Sequence, residues 1–544
     1  MDMRRLFLFL IFSFSLVVLW GEWSRQNQPQ ASVSSSISPS KDSSVPSVVT
    51  AVAPQVSAPV VTSKVLNGKT LHVKTDVFEA EINTAGGNIE RLSLLQHRNA
   101  NDQAKPIVLF QREGSLTYVE QSGLLGKGLP THNAEYQTDS DMFTLLEGKD
   151  TIEVKLTAKA VEGVLVNKTY IFHRGNYLVD VVYAVQNTSG VAIQPSAYFQ
   201  LLRDSTPPEG ASAFVPTYTG AAAYTDLDKY LKIDFSDIEK NKVSLPKESD
   251  NGWVGMVQHY FVSAWLPQGK SPREFYTKHV EGNLNSVGVI LPMASVEPNQ
   301  TQTISNQLYV GPAMTKLDEI APGLGLTVDY GIFTVFAAPL FWAMSFLNDL
   351  VHNWGVAIVL LTVLIKLAFF PLSAASYRSM AKMSVVAPKL EKIKKQYGDD
   401  RERLNKAMMD LYKTEKINPL GGCLPMLIQI PVFIGLYWAI LESVELRHAP
   451  FIGWINDLSA TDPYYILPLI MGASMLIQSK LNPVPTDPIQ AKVMQIMPIA
   501  FSVVFFFFPA GLVLYSIVNN VLSIGQQWYI KRAAEAEQLG AKKT

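Results

Sequence analysis

Residues Val356 to Pro371 read VAIVLLTVLIKLAFFP, an otherwise apolar run interrupted by one hydroxyl, Thr362, and one ammonium, Lys366. A lysine at the centre of a membrane helix costs roughly 2.5 to 3.5 kcal/mol on translocon-based scales, so it usually faces a wet cavity or a bundle interior and marks a functional path. A second reading stays open. About six residues, or roughly 9 Å of helix, separate Lys366 from the inner end of its span, so its stem also has the reach to snorkel to the headgroups. Direction discriminates: a functional cation points at the bundle, a snorkelling one at lipid.

Apolar length extends this stretch to a span over about 350–372 and places four more over about 420–441, 464–480, 493–508 and 511–530. A sixth lies at the amino end, where Arg4 and Arg5 precede Leu6 to Trp20; no small-residue cleavage site follows, so residues 1–23 read as an uncleaved anchor. Residues 331–347 are apolar too, but Pro339 lies inside and Asn348-Asp349 closes them, which assigns 321–349 to a helix lying in the interface. The loop Ala374 to Asn418 holds eleven Lys or Arg against six Asp or Glu, whereas Glu442 to Pro463 carries four acids and one Arg. With basic residues near both termini, the positive-inside rule puts both ends and the 374–418 loop in the cytoplasm.

Between the anchor and the second span the composition changes. Residues 24–63 are Ser, Pro, Val, Gln and Ala without helical period, which is linker composition. Within 64–320, runs such as Phe78-Glu79-Ala80-Glu81-Ile82 and Tyr177 to Tyr183 alternate with period two between Gly, Asn and Pro signals, predicting a large all-β sandwich outside the inner membrane. Six of the eight histidines fall there without ligand spacing, and no Walker A, zincin or nucleophile-elbow pattern occurs, so no catalytic residue, metal or cofactor is expected. A net charge of -1 gives no global case for nucleic acid, and the single cysteine, Cys423, excludes an intramolecular disulfide.

Polar residues within the spans form stripes. Ser516, Asn520, Ser523 and Gln527 share one helix face, Thr362 shares the face of Lys366, and Gln429, Gln478 and Gln495 add amides. They line a hydrated pocket or act as interhelical glue, and spacing does not separate the two. Leu427, Ile430, Phe433 and Ile434, with Val504, Phe505, Phe506 and Phe507, either pack and face lipid or offer a surface along which a guest helix slides. In the basic loop, Val386, Leu390, Ile393 and Tyr397, then Leu404, Met408 and Leu411 beyond Gly398-Asp399-Asp400, give the rhythm of an antiparallel helical hairpin. Its Lys389, Lys392, Lys394, Lys395, Arg401 and Arg403 suit anionic lipid, ribosomal RNA or an acidic partner, unless the hairpin is merely solvated.

Several motifs stand in order along the carboxyl third: Ser379-Met380-Ala381-Lys382-Met383, Asn418-Pro419-Leu420-Gly421-Gly422-Cys423, Asp462-Pro463-Tyr464-Tyr465-Ile466-Leu467-Pro468 and Pro509-Ala510-Gly511-Leu512-Val513-Leu514-Tyr515. With them the chain resembles the Oxa/Alb membrane-integration family, in the Gram-negative form with a large outer β domain. The resemblance implies a multi-domain membrane protein: six spans, five of them (350–544) forming a helical core, a cytoplasmic hairpin, and a periplasmic domain similar to a galactose-mutarotase-like supersandwich. It implies a non-enzymatic insertase and chaperone of the bacterial inner membrane, with nascent membrane proteins, the Sec translocon, ribosome or targeting machinery, and the phospholipid bilayer as partners. It makes Lys366, Thr362, Gln429, Ser516 and Asn520 a hydrophilic groove. Lys366 stands at the family's usual arginine position, and Ser516 where some relatives carry a second tyrosine. A channel or small-solute transporter and an anchored sugar-acting enzyme are the competing classes.

Overall fold

A computed structural model describes residues 45–46, 68–99, 102, 104–114, 116–158, 161–208, 217–398, 400–415, 424–481 and 488–541. The expected anchor, 1–23, and all of the linker 24–63 except Val45 and Pro46 lie outside the described residues. The chain divides into two compact units, one ending at Val328 and the other beginning at Asp329.

The first unit contains eighteen strands: β1 (Thr70–Lys74), β2 (Phe78–Asn83), β3 (Asn88–Arg98), β4 (Pro106–Glu113), β5 (Leu116–Leu125), β6 (Tyr136–Gln137), β7 (Met142–Thr144), β8 (Thr151–Ala158), β9 (Val164–His173), β10 (Leu178–Asn187), β11 (Ser196–Asp204), β12 (Gly220–Thr225), β13 (Lys229–Ile233), β14 (Trp253–Gln258), β15 (Phe261–Leu266), β16 (Glu274–His279), β17 (Leu284–Pro292) and β18 (Thr301–Pro312). They form two nine-stranded sheets, ordered β16-β17-β11-β5-β4-β3-β2-β1-β7 and β13-β12-β14-β15-β18-β10-β9-β8-β6. Every described pairing between strands is antiparallel except that of β1 with β7. Strand alternation drives the layering: in β9, Val164, Val166, Lys168, Tyr170 and Phe172 are buried and their neighbours are half-buried. Phe78, Phe110, Tyr170, Phe172, Phe199 and Trp265 belong to one continuous core. The sequence expectation of a large all-β unit is met by two extended sheets.

Among the described residues the first unit has one α-helix, α1 (Phe235–Glu239), and the second unit is helical: α2 (Thr334–Val351), α3 (Trp354–Ala368), α4 (Phe370–Tyr397), α5 (Arg401–Thr414), α6 (Leu424–Glu442), α7 (Ile466–Leu481), α8 (Pro488–Val504) and α9 (Ala510–Ala541). The expected span over 350–372 is instead broken. His352 ends α2 in the left-handed region, Asn353 caps α3 by accepting from Val356 N at 3.0 Å, and α3 and α4 bend by 65° where Phe369 separates them. Pro371 explains the break, since it supplies no N–H to the preceding turn and suits the first turn of a new helix. The remaining apolar segments Ile428–Glu442, Ile466–Leu481 and Ile496–Phe507 are short. By length and composition Gly331–Val351 is, among the described residues, the one unbroken helix able to cross a bilayer, where the sequence favoured an interfacial helix. Its Ala337, Phe341, Met344 and Leu347 are buried, while Val335, Trp342, Phe346 and Leu350 are exposed, and it packs on α3 and α6.

Candidate functional site

Helix α9 is the common neighbour of α3, α4, α6 and α7. Its Ser516, Asn520, Ser523 and Gln527 fall on one face and are all buried. The face is divided between partners. Asn520 Nδ2 donates to Ser474 Oγ on α7 at 3.2 Å, Gln527 Nε2 donates to the carbonyl of Leu481 at 3.3 Å, and Ser523 Oγ receives Lys366 Nζ from α3 at 2.8 Å. Lys366 is half-buried and points at the bundle. Among the described residues its ammonium has this hydroxyl partner and no carboxylate. An ammonium carries three donors, so two remain for water or an incoming acceptor.

The other expected lining residues are occupied. Thr362 Oγ1 donates to the Ile358 carbonyl at 2.7 Å and Ser516 Oγ to the Leu512 carbonyl at 2.8 Å, the back-bonding by which a serine or threonine satisfies itself within a helix. Gln429 Nε2 donates to the hydroxyl of Tyr515, joining α6 to α9. The amides therefore hold helices together, and the cation is the charged member of the set. Two residues outside the expected set complete the spot: Ser523, on the stripe that spacing revealed, and Tyr377 of α4, whose hydroxyl lies beside Ser523 and which no sequence pattern marked.

The aromatic surface splits likewise. Ile430, Val504 and Phe507 are exposed, whereas Phe505 is buried and stands edge-on to Phe433 at 6.2 Å between ring centroids. Ile434 is half-buried, Phe506 stacks on Tyr465 at 5.2 Å, and the side chains of Leu427 and Gln495 lie outside the described residues.

One end of the bundle is closed by the segment between α6 and α7. Leu446, Ile455 and Leu458 are buried there, Ala510 N and Gly511 N donate to the carbonyls of Ala460 and Leu458, and Asn353 Nδ2 donates to the Phe451 carbonyl at 3.1 Å. Gly355 fits because a Cβ would stand 2.0 Å from the Phe451 ring. Lys366 lies about 18 Å further along from Trp354 at 1.5 Å per residue. At that end α4 runs on to Tyr397 and packs against α5, burying Val386 and Leu390. Asp400 caps α5, Lys389 pairs with Glu415 at 2.6 Å, Lys395 with Glu391 at 2.9 Å and Arg403 with Asp400 at 3.2 Å. Lys392 is exposed, and the side chains of Lys394 and Arg401 lie outside the described residues.

The β unit holds its own ionisable cluster, sealed from solvent. Glu120 and Lys168 are both 0% exposed and 4.0 Å apart. Lys168 Nζ donates to the Gly87 carbonyl at 2.7 Å, while Glu120 accepts from Tyr170 OH at 2.6 Å and Ser122 Oγ at 2.7 Å. Burial pulls the Lys168 ammonium below its ordinary range against the attraction of Glu120. His132 shares a 2.5 Å hydrogen bond with Tyr198, and burial, aided by repulsion from Lys168, pulls it down to about 3. No group of three potential ligands stands together among the described residues.

Comparison with known proteins covers both units. Residues 70–343 match the family described as the YidC periplasmic domain, and 346–537 match the 60Kd inner membrane protein family. A membrane protein insertase YidC of Methylobacillus flagellatus is 52% identical, aligned over 98% of each chain, and one of Nitrosospira multiformis is 51% identical over 100% of this chain and 99% of its own. A crystal structure of an active YidC insertase with its first transmembrane domain resolved is 18% identical, with a TM-score of 0.41 over 86% of this chain and 93% of that one.

Proposed function

We propose, from the premise that the chain belongs to the YidC membrane protein insertase family, that it integrates nascent proteins into the bacterial inner membrane by receiving their polar tails at Lys366. It is not an enzyme. The observation that carries the reading is the inward ammonium held by Ser523 at 2.8 Å with no carboxylate among the described residues. A cation in that state attracts an acidic segment that would otherwise lose its hydration on entering the bilayer. Hydrophobic burial then completes insertion at about 25 cal/mol per Å² of apolar surface, so no nucleotide is needed. In this reading the end covered by the α6–α7 segment and the basic end at α4 and α5 give the path a direction.

In this reading Ile430, Val504 and Phe507 are the lipid-side slide for the guest helix, with Phe433 and Phe505 as its backing. The α4–α5 hairpin faces the cytoplasm and recruits ribosome or targeting machinery, the β unit faces the periplasm near the Sec translocon, and both termini are cytoplasmic. The decisive experiment replaces Lys366 in proteoliposomes. Lys366→Arg retains insertion, because the charge stays although the point-like ammonium becomes a planar fork. Lys366→Ala slows clients with acidic tails and spares those with neutral ones; equal rates for both client classes in Lys366→Ala would sink the role.

A further inference from the structure

Val45 and Pro46 are the described residues of the first 67; Val45 is half-buried and Pro46 buried. Lys278 Nζ, 233 residues further on, donates to the Val45 carbonyl at 3.3 Å. Lys278 lies on β16, an edge strand of its sheet. Register shows which face it occupies: Lys278 aligns with Ser286 of β17, which aligns with Leu202 of β11. Phe275, Val287 and Leu201, of opposite parity, belong to the sandwich core, so Lys278 stands on the sheet's other face.

That face is hydrogen-bonded rather than greasy. Tyr276 OH donates to Gln200 Oε1 at 2.7 Å and Gln200 Nε2 to Gln121 Oε1 at 2.8 Å, in a row with Gly288, where a Cβ would stand 2.5 Å from the Tyr276 hydroxyl. Burial lowers the Lys278 ammonium below its ordinary range, in keeping with cover over its stem. The covering dipeptide suits the place: a residue before proline is held extended, so Val45 presents its carbonyl, and Pro46 buries a ring without burying an N–H.

We propose that the outer face of β16 and β17 is a docking site for the chain's own Val45–Pro46, so that the segment before the β domain has a fixed point on that domain. The clip gives the segment before the β domain a point of attachment that is independent of the role of Lys366.

The test places a photoreactive benzoylphenylalanine at position 45 of the full chain in lipid nanodiscs. Adducts are expected in the peptide covering 274–292, with yields falling at least five-fold in Lys278→Ala, retained in Lys278→Arg, and falling on addition of a synthetic peptide of residues 41–50. Pro46→Ser provides the same loss from the other partner should Lys278→Ala fail to fold. Adducts scattered elsewhere, or a yield indifferent to Lys278, Pro46 and the peptide alike, would overturn the proposal.

Discussion

Lys168 of the β unit and Lys366 of the helical unit both hold an ammonium away from bulk solvent, and their surroundings are opposite. Lys168 is 0% exposed, with Glu120 at 4.0 Å and the Gly87 carbonyl at 2.7 Å. Lys366 is half-buried, with one hydroxyl at 2.8 Å. A buried cation with its counter-charge inside the chain belongs to the architecture. One left without a carboxylate among the described residues suits whatever acid arrives from outside. Burial alone separates the two poorly; the partner list separates them well.

The comparison breaks most readily at Lys168. Lys168→Ala leaves Glu120 buried and uncompensated, so a loss of about 3–5 kcal/mol is expected in denaturant unfolding of the detergent-solubilised protein. Lys168→Met with Glu120→Leu should recover most of it, and a double variant as unstable as Lys168→Ala would show that the pair is not the unit.

Acid sharpens the same contrast. His132 is held neutral down to about 3 in the folded state against about 6.5 when unfolded. Between those values the unfolded chain binds the extra proton, so stability is full above about pH 6.5 and falls as pH drops toward 3, by up to about 1.4 kcal/mol per pH unit. His132→Gln should flatten that slope in a thermal-midpoint series; an unchanged slope assigns it to other groups.

At Lys366 the expected change is in function. Lys366→Ala loses one hydroxyl contact and barely moves the unfolding midpoint, while insertion of acidic-tailed clients falls about ten-fold, equivalent to about 1.4 kcal/mol of lost stabilisation. A large stability loss without a client-dependent defect would reverse the assignment of the two lysines. The smallest effect is expected at Asn520→Ala, where loss of the bridge to Ser474 costs about 0.6 kcal/mol and leaves the preference among clients intact. A shifted client preference would move Asn520 from the helix interface into the path.

Much of this was legible in residue order. Period-two alternation revealed the β unit, and spacing put Ser516, Asn520, Ser523 and Gln527 on one face. The same alternation, read through Val164, Val166, Lys168, Tyr170 and Phe172, also aims a lysine into the sandwich, a signal as plain as the lysine in the apolar run at 356–370. Partners were not legible. Whether Thr362 and Ser516 turn to water or to their own backbone depends on rotamers chosen by neighbouring helices. Pro371 announces a break, but the 65° angle is set by what α3 and α4 pack against.

Of the described helices α9 is the last to be made, and it is the shared neighbour of α3, α4, α6 and α7. Translation delivers Lys366 more than 150 residues before Ser523. At about 5–20 residues per second, that leaves roughly 8 to 30 seconds in which the growing chain carries its ammonium without the hydroxyl that will hold it. During its own biogenesis the protein therefore passes through the predicament that, under the proposed function, it resolves for others.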